Sequence, residues 1–443
     1  MKTNELERDT MAGIWWRIIP LMVVVLFFSY LDKVNVGFAA LEMNRALGFS
    51  NTVFGAGAGC FALGYALFAI PSTLMLHRFG ARRWIALIML AWGTCSAATA
   101  FITRPEHLII ARTLLGAAEA GFAPGVILYF SYWFPSEYRG RALGSFTFIQ
   151  PVALIIGGPL SAALLSWNGL RGLAGWQWLF IIEALPTLLL SLLVYLLLTD
   201  RPEAATWLPA EKKRWLVQKL TDERRRIEES QAAETSLWRT LGNRRVLLLA
   251  LVFLGMNTSG VGAVFFLPLV IKSMGFSVAN TGFISALPGI AAALSLPLWG
   301  LCADRAQSLE LVVTAACGFI AIGLLATGLL LPHTLALIPL CFAMIGYFGF
   351  AAAFWTLPST FLTGRSAAAG IAFINIVGNA GYFTGPALLG RVSDVTHSYG
   401  IGLSCLALIG ATVATIMGIY AVRNREGVRR RPPAPPIDIP AQG

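Results

Sequence analysis

The sequence predicts an all-α polytopic membrane protein, with twelve transmembrane helices in two six-helix bundles related by pseudo-two-fold symmetry. Three observations predict it. The 443 residues are 57% hydrophobic and only 12% charged, with a mean hydropathy of +0.71; an ordinary soluble domain is about 25% charged. Twelve apolar stretches are long enough to cross a hydrocarbon core of about 30 Å, which takes roughly 20 residues. The halves also echo each other: "PSEYRGRALGSFTFIQ" at 135–150 opens the fifth stretch and "PSTFLTGRSAAAGIAFIN" at 358–375 opens the eleventh, so that Gln150 and Asn375 each follow Phe-Ile. Internal repetition of this kind marks secondary transporters, which bind substrate between repeats near mid-membrane.

The first six spans are expected near 14–38, 51–76, 84–102, 107–130, 142–166 and 177–199. The second six follow near 246–271, 279–302, 311–331, 334–357, 367–390 and 399–421. Four segments result: a bundle over 1–200, a connecting loop over 201–245, a second bundle over 246–422, and a Pro-rich, disordered tail over 423–443. In the loop, Trp215, Leu216, the Lys219 stem and Leu220 recur at helical spacing, which predicts an amphipathic helix along the membrane face. The first apolar run is too long for a cleaved signal peptide and continues into Asp32.

The net charge of +11 is a topology signal and not a nucleic-acid footprint. When loops are assigned alternately to the two sides, one side receives 26 of the 33 Lys and Arg residues. The positive-inside rule therefore places both termini in the cytoplasm. Lys33 and Arg112 are the cations left within the bilayer. Six scattered cysteines and four separated histidines offer no disulfide framework and no metal-ligand spacing. No cofactor is expected, and protons are the natural coupling ion.

Intramembrane charges cost roughly 2.5–3.5 kcal/mol each on insertion scales and mark function by default. At 1.5 Å per residue, Asp32 lies about 25 Å along the first span and Arg112 about 7 Å below the outer surface. Glu119 follows Arg112 by two turns on the same face, about 10 Å deeper. Asp32, Lys33 and Arg112 are thus expected above and Glu119 near the midplane, two cations neutralising two carboxylates. Salt bridges that only lock helices together, Asp32 with Arg112 foremost, are the structural alternative. In the functional reading, an anion arriving at Arg112 competes for that cation and leaves a carboxylate free to take up a proton. Tyr30 and Tyr65 need partners for buried hydroxyls, which substrate oxygens or neighbouring helices can supply. Gln150, Asn375 and Asn379 are span amides with the same two readings. The stretch "MNTSGVGAVFF" at 256–266 adds Asn257 and Phe265 to the candidate pocket. Two basic turns, "HRFGARR" at 77–83 and "WGLCADR" at 299–305, occupy equivalent places in the two halves.

Together with "YLDKVNVGFAALEMNRALGFS", "GYALFAIPSTLMLHRFGARRWIA", "RTLLGAAEAGFAPGVILYFSYWFP", "FWTLPSTFLTG" and "INIVGNAGYFTGP", these features resemble the major facilitator superfamily, and within it the anion:cation symporters of tartrate, aldonates, phthalate and hydroxyphenylacetate. The resemblance spans the chain. It implies a monomeric alternating-access carrier that imports a small organic anion with protons. It implies proton sites at Asp32 and Glu119, and substrate coordination or coupling at Arg112 and Lys33. It also implies a cavity lined by Tyr65, Gln150 and Asn379, with Trp355 against the ligand, and gates at His77, Arg78, Arg82, Arg83, Asp304 and Arg305. Three positions depart from the family pattern: Lys33 replaces the usual Arg, His77 a usual acid, and Arg365 an uncharged residue. The Lys removes a bidentate carboxylate fork. Rival readings are an exporter or uniporter of an aromatic or amphipathic compound, an intramembrane enzyme using Asp32 and Glu119, and a nutrient sensor. The enzyme lacks a nucleophile–base set, and the sensor lacks a soluble output domain.

Overall fold

A computed structural model describes residues 2–230, 242–306, 308–362 and 364–429. The first bundle contains α1 (Lys2–Leu47), α2 (Asn51–Phe79), α3 (Ala81–Ala98), α4 (Pro105–Glu119), α5 (Phe122–Trp133), α6 (Ser136–Leu165) and α7 (Gly175–Leu197). The loop helix α8 spans Ala210–Ser230. The second bundle contains α9 (Arg244–Ser273), α10 (Val278–Ile284), α11 (Ala286–Arg305), α12 (Leu309–Leu330), α13 (Leu337–Phe354), α14 (Thr356–Ser359), α15 (Gly364–Asn379), α16 (Gly381–Thr396) and α17 (Tyr399–Arg429).

Eleven of the described helical segments are long and apolar enough to span a membrane. The remaining expected span, the eleventh at 367–390, is divided into α15 and α16 at Ala380. Breaks also separate α4 from α5 just after Glu119, α10 from α11 at Ser285, and α13 from α14 at Trp355. Broken helices free backbone groups in mid-membrane, and they are tolerated where the chain is buried or lines a cavity.

The loop and tail differ in detail from expectation. In α8, Leu216 and Leu220 are buried in the core of the first bundle. Lys219 bridges Glu7 at 2.7 Å and Glu137 at 2.9 Å, and Arg139 pairs with Glu223 at 3.1 Å. The helix is thus fastened to the first bundle by its apolar face and by these ion pairs. Helix α17 continues to Arg429, past the expected boundary at 422, because no Pro or Gly-rich turn intervenes before that point. The Pro-rich 430–443 lies outside the described residues.

The bundles meet on the side remote from the chain termini. One hydrophobic core joins the second bundle to Phe38, Phe54, Leu108 and Trp176 of the first; another fills the terminal-side half of the first bundle alone. Gly158 and Gly282 meet at this remote seal, where a Cβ on either would overlap the other's carbonyl oxygen. Asp394 at the end of α16 completes the closure. Its carboxylate accepts hydrogen bonds from the backbone N–H groups of Asn51 (3.0 Å) and Thr52 (2.7 Å), at the start of α2 in the opposite bundle. Tyr399 donates to Asn51 Oδ1 at 2.9 Å.

Burial works against the charge on Asp394, but the hydrogen bonds from Thr52, Ser50 and Asn51 outweigh it and hold the carboxyl below its ordinary range. The latch is therefore fully present above the ordinary carboxylate pKa of about 4 and is lost as pH falls through the lower, latched value. Near neutral pH only mutation releases it. Asp394→Ala is expected to weaken the seal by about 0.5–2 kcal/mol, a two- to thirtyfold shift in the closed-to-open ratio. The check is thiol-reagent access, from the remote side, to a cysteine placed at Phe54 in a variant without the native cysteines; unchanged access would show that apolar packing alone closes this side.

Candidate functional site

Between the bundles lies a cavity of about 240 Å³. That is below the ~300–1,000 Å³ of sites for drug-sized ligands, so it suits a small metabolite. The first bundle lines it with Tyr30, Lys33, Phe61, Tyr65 and Gln150; the second contributes Asn257, Tyr347, Trp355, Asn375, Asn379 and Tyr382. Eight residues expected from sequence are therefore brought to one cavity: Tyr30, Lys33, Tyr65, Gln150, Asn257, Trp355, Asn375 and Asn379. Phe265 is 3% exposed and lines an adjoining recess of about 50 Å³, too small for a separate substrate.

The polar groups are arranged in pairs. Gln150 donates through its amide nitrogen to the Tyr30 hydroxyl. Asn257 donates to the Gly378 carbonyl at 3.0 Å, and Asn379 donates to Asn375 Oδ1 at 2.6 Å. The second bundle adds an aromatic wall: the Phe253 ring stacks on Phe354 at 5.2 Å and meets Trp355 edge-on at 5.0 Å. Trp355 stands at the junction of α13 and α14, so the helix break itself aims its indole.

The charged groups depart from the expected pairing. Residues 32 and 33 point about 100° apart on a helix, so the two cannot face the same way. Lys33 faces the cavity and Asp32 the interior of the first bundle. Lys33 Nζ pairs with Glu119 Oε1 at 2.5 Å, and Ser29 donates to the same oxygen. Tyr30 and Phe61 present their ring faces to the ammonium at 4.8 and 5.6 Å, a favourable setting for a cation. The Lys33 side chain is 19% exposed and that of Glu119 2%. Of this pair, only the cation is open to an entering ligand.

Arg112 does not line the cavity. It is 1% exposed and sits behind Phe61, whose ring centroid is 5.4 Å from the guanidinium. Its Nη1 donates to the backbone carbonyl of Asp32 at 3.1 Å, and not to the Asp32 carboxylate. That carboxylate accepts from Ser96 at 2.8 Å and from Asn35 at 3.5 Å. Arg112, expected at the substrate, thus stands behind the Phe61 ring and off the cavity wall in this conformation. Glu183 of α7, passed over in the sequence reading, belongs to the same buried cluster: it is 2% exposed and accepts from Ser161 at 3.4 Å.

Of the expected gating residues, Arg82 is tied within its own bundle. Its backbone N–H donates to Asp200 at 2.8 Å, and its guanidinium donates to the Tyr195 carbonyl. Arg78 lies over the Phe79 ring at 5.7 Å, while Arg83, Asp304 and Arg305 are exposed. The side chains of His77 and Arg365 lie outside the described ones.

The Major Facilitator Superfamily model matches residues 22–386. A protein of Agrobacterium vitis named "Putative tartrate transporter" is 42% identical over 418 residues, covering 94% of this chain and 92% of that protein. A "Quinolone resistance transporter" of Acinetobacter baumannii is 38% identical over 411 residues, covering 91% and 93%. Among solved structures, a bacterial homologue of the human lysosomal transporter Spinster superposes with a TM-score of 0.71 at 18% identity, covering 95% of this chain and 99% of that one. At that identity the likeness shows the fold.

Proposed function

Since the chain belongs to the Major Facilitator Superfamily, whose members are transporters and not enzymes, we propose that it is a proton-coupled importer of a small hydroxylated organic anion, working by alternating access. The observation that carries this reading is the Lys33–Glu119 pair, with its cation facing the cavity and its carboxylate behind it. A substrate carboxylate arriving at Lys33 competes with Glu119 for the ammonium. Glu119, buried and deprived of its partner, then takes up a proton instead of remaining an uncompensated charge. Anion and proton thereby enter as a set.

Lys33 is the one cation among the described lining residues, and the second bundle presents amides, tyrosines and aromatic rings. One carboxylate binds at Lys33, and the remaining hydroxyls bind Gln150, Asn257, Asn375 and Asn379. The name of the Agrobacterium relative supports a hydroxy acid. With the termini in the cytoplasm, the seal at Asp394 faces outward and the described conformation is open to the cell interior. Membrane potential then adds about 2.3 kcal/mol per net charge per 100 mV, so two protons entering with a monoanion can concentrate it.

The aromatic wall and the name of the Acinetobacter relative favour a second reading, extrusion of an aromatic compound. Purified protein in proteoliposomes distinguishes the two. An inward proton gradient is expected to drive accumulation of a labelled hydroxy acid in preference to aromatic acids. Uptake indifferent to the gradient would sink the symport reading. Proton-driven movement of aromatic compounds alone, opposite to the protons, would favour extrusion.

A further inference from the structure

The first bundle buries more carboxylates than cations. Asp32, Glu119 and Glu183 are each no more than 2% exposed. The charges that bear on Asp32 are Glu119, Arg112 and Lys33, and the one that bears on Glu183 is Asp32. From the elements packed around Glu183, α1 presents Asp32 and Asn35, α6 presents Ser161, and α3 presents Ser96 by way of Asp32. Fully ionised, three carboxylates and two cations leave one negative charge in a low-dielectric interior. An uncompensated buried charge is avoided by neutralisation, so one of the three acids holds a proton.

The placement of the two cations identifies which one. Glu119 has the Lys33 ammonium at 2.5 Å and the Ser29 hydroxyl. Asp32 accepts from Ser96, with the Arg112 guanidinium on its own peptide carbonyl. Glu183 has no cation beside it; its neighbours are the neutral Ser161 and Asn35. Each of the three acids has one buried oxygen without a partner, as has Asn35 at Oδ1, but among the described residues only Glu183 of the three has no cation at its carboxylate or on its own backbone. A carboxylic acid at 183 carries the hydrogen that a carboxylate beside these neutral neighbours lacks.

We propose that Glu183 is a proton-binding residue of the transport cycle, holding a proton in this conformation and passing it to Asp32 when the bundles rearrange. In that transfer one O–H bond breaks at Glu183 and one forms at Asp32, with the total charge unchanged. The site lies across Asp32 from the cavity, so this proton never shares the substrate's space. Its place in the cycle rests on the symport reading; its occupancy does not.

Infrared spectroscopy of the full chain in bilayers, without substrate, reads the occupancy directly. Wild type is expected to show the deuterium-sensitive carbonyl band of a protonated carboxylic acid, and Glu183→Gln, which keeps the size and a donor, to lose it. In proteoliposomes, Glu183→Gln is expected to lose proton-driven accumulation, and Glu183→Asp to recover it. A band that persists in Glu183→Gln overturns the assignment. A band that disappears while accumulation is unchanged makes the proton a fixed part of the fold and overturns its role in the cycle. If wild type accumulates nothing under a proton gradient, the symport reading fails, and the band still reports the site.

Discussion

Lys33→Ala is expected to abolish proton-driven anion accumulation while leaving the protein folded. The substitution removes the one cation among the described lining residues and leaves Glu119, 2% exposed, without its 2.5 Å partner. Breaking a buried pair on one side costs about 3–5 kcal/mol if the remaining charge persists. Glu119 avoids most of that cost by protonating, so the penalty falls on function. A hydrogen bond to a charged group contributes about 1.5–3 kcal/mol, and its loss weakens anion binding roughly ten- to a hundredfold. Lys33→Arg restores the charge and is expected to retain transport. Calorimetric titration of the three proteins with the transported acid checks this. Equal affinities in wild type and Lys33→Ala would mean that the anion binds elsewhere.

The second large effect is expected at Arg112. Arg112→Ala leaves Asp32, Glu119 and Glu183 with a single cation among them and removes the donor on the Asp32 carbonyl. Thermal stability in detergent is expected to fall by about 3–5 kcal/mol, the cost of an orphaned buried charge. The double variant Asp32→Asn/Arg112→Ala is expected to recover much of that stability, since neighbours within one charge network are not additive. It is also expected to bind the anion, because Arg112 balances Asp32 and does not touch the ligand. A double variant that folds but does not bind would put the guanidinium in contact with substrate, in a conformation other than the one described.

Several parts of this account were legible in the sequence because bilayer thickness leaves little freedom. Span positions follow from apolar length, and Tyr30, Tyr65, Gln150, Asn375 and Asn379 stand out as polar groups in hydrocarbon. Their gathering around one cavity is what the structure adds. Spacing gives depth but not azimuth, so the pairing of Lys33 with Glu119 and the turn of Arg112 to the Asp32 carbonyl were not legible. Phe253, Phe350 and Phe354 form the aromatic wall, yet in sequence they look like any lipid-facing Phe. Glu183 did carry a signal: "WLFIIEALP" places a lone carboxylate inside the sixth span. Counting buried carboxylates against buried cations would have found it.

The central claim is that anion and proton meet through the exchange of Lys33 partners. The most direct measurement is proton uptake on mixing the purified, weakly buffered protein with the transported hydroxy acid near neutral pH. Linkage predicts about one proton taken up per anion bound in wild type, and none in Glu119→Gln despite retained binding. Anion binding without proton uptake, or equal uptake in Glu119→Gln, would contradict the claim.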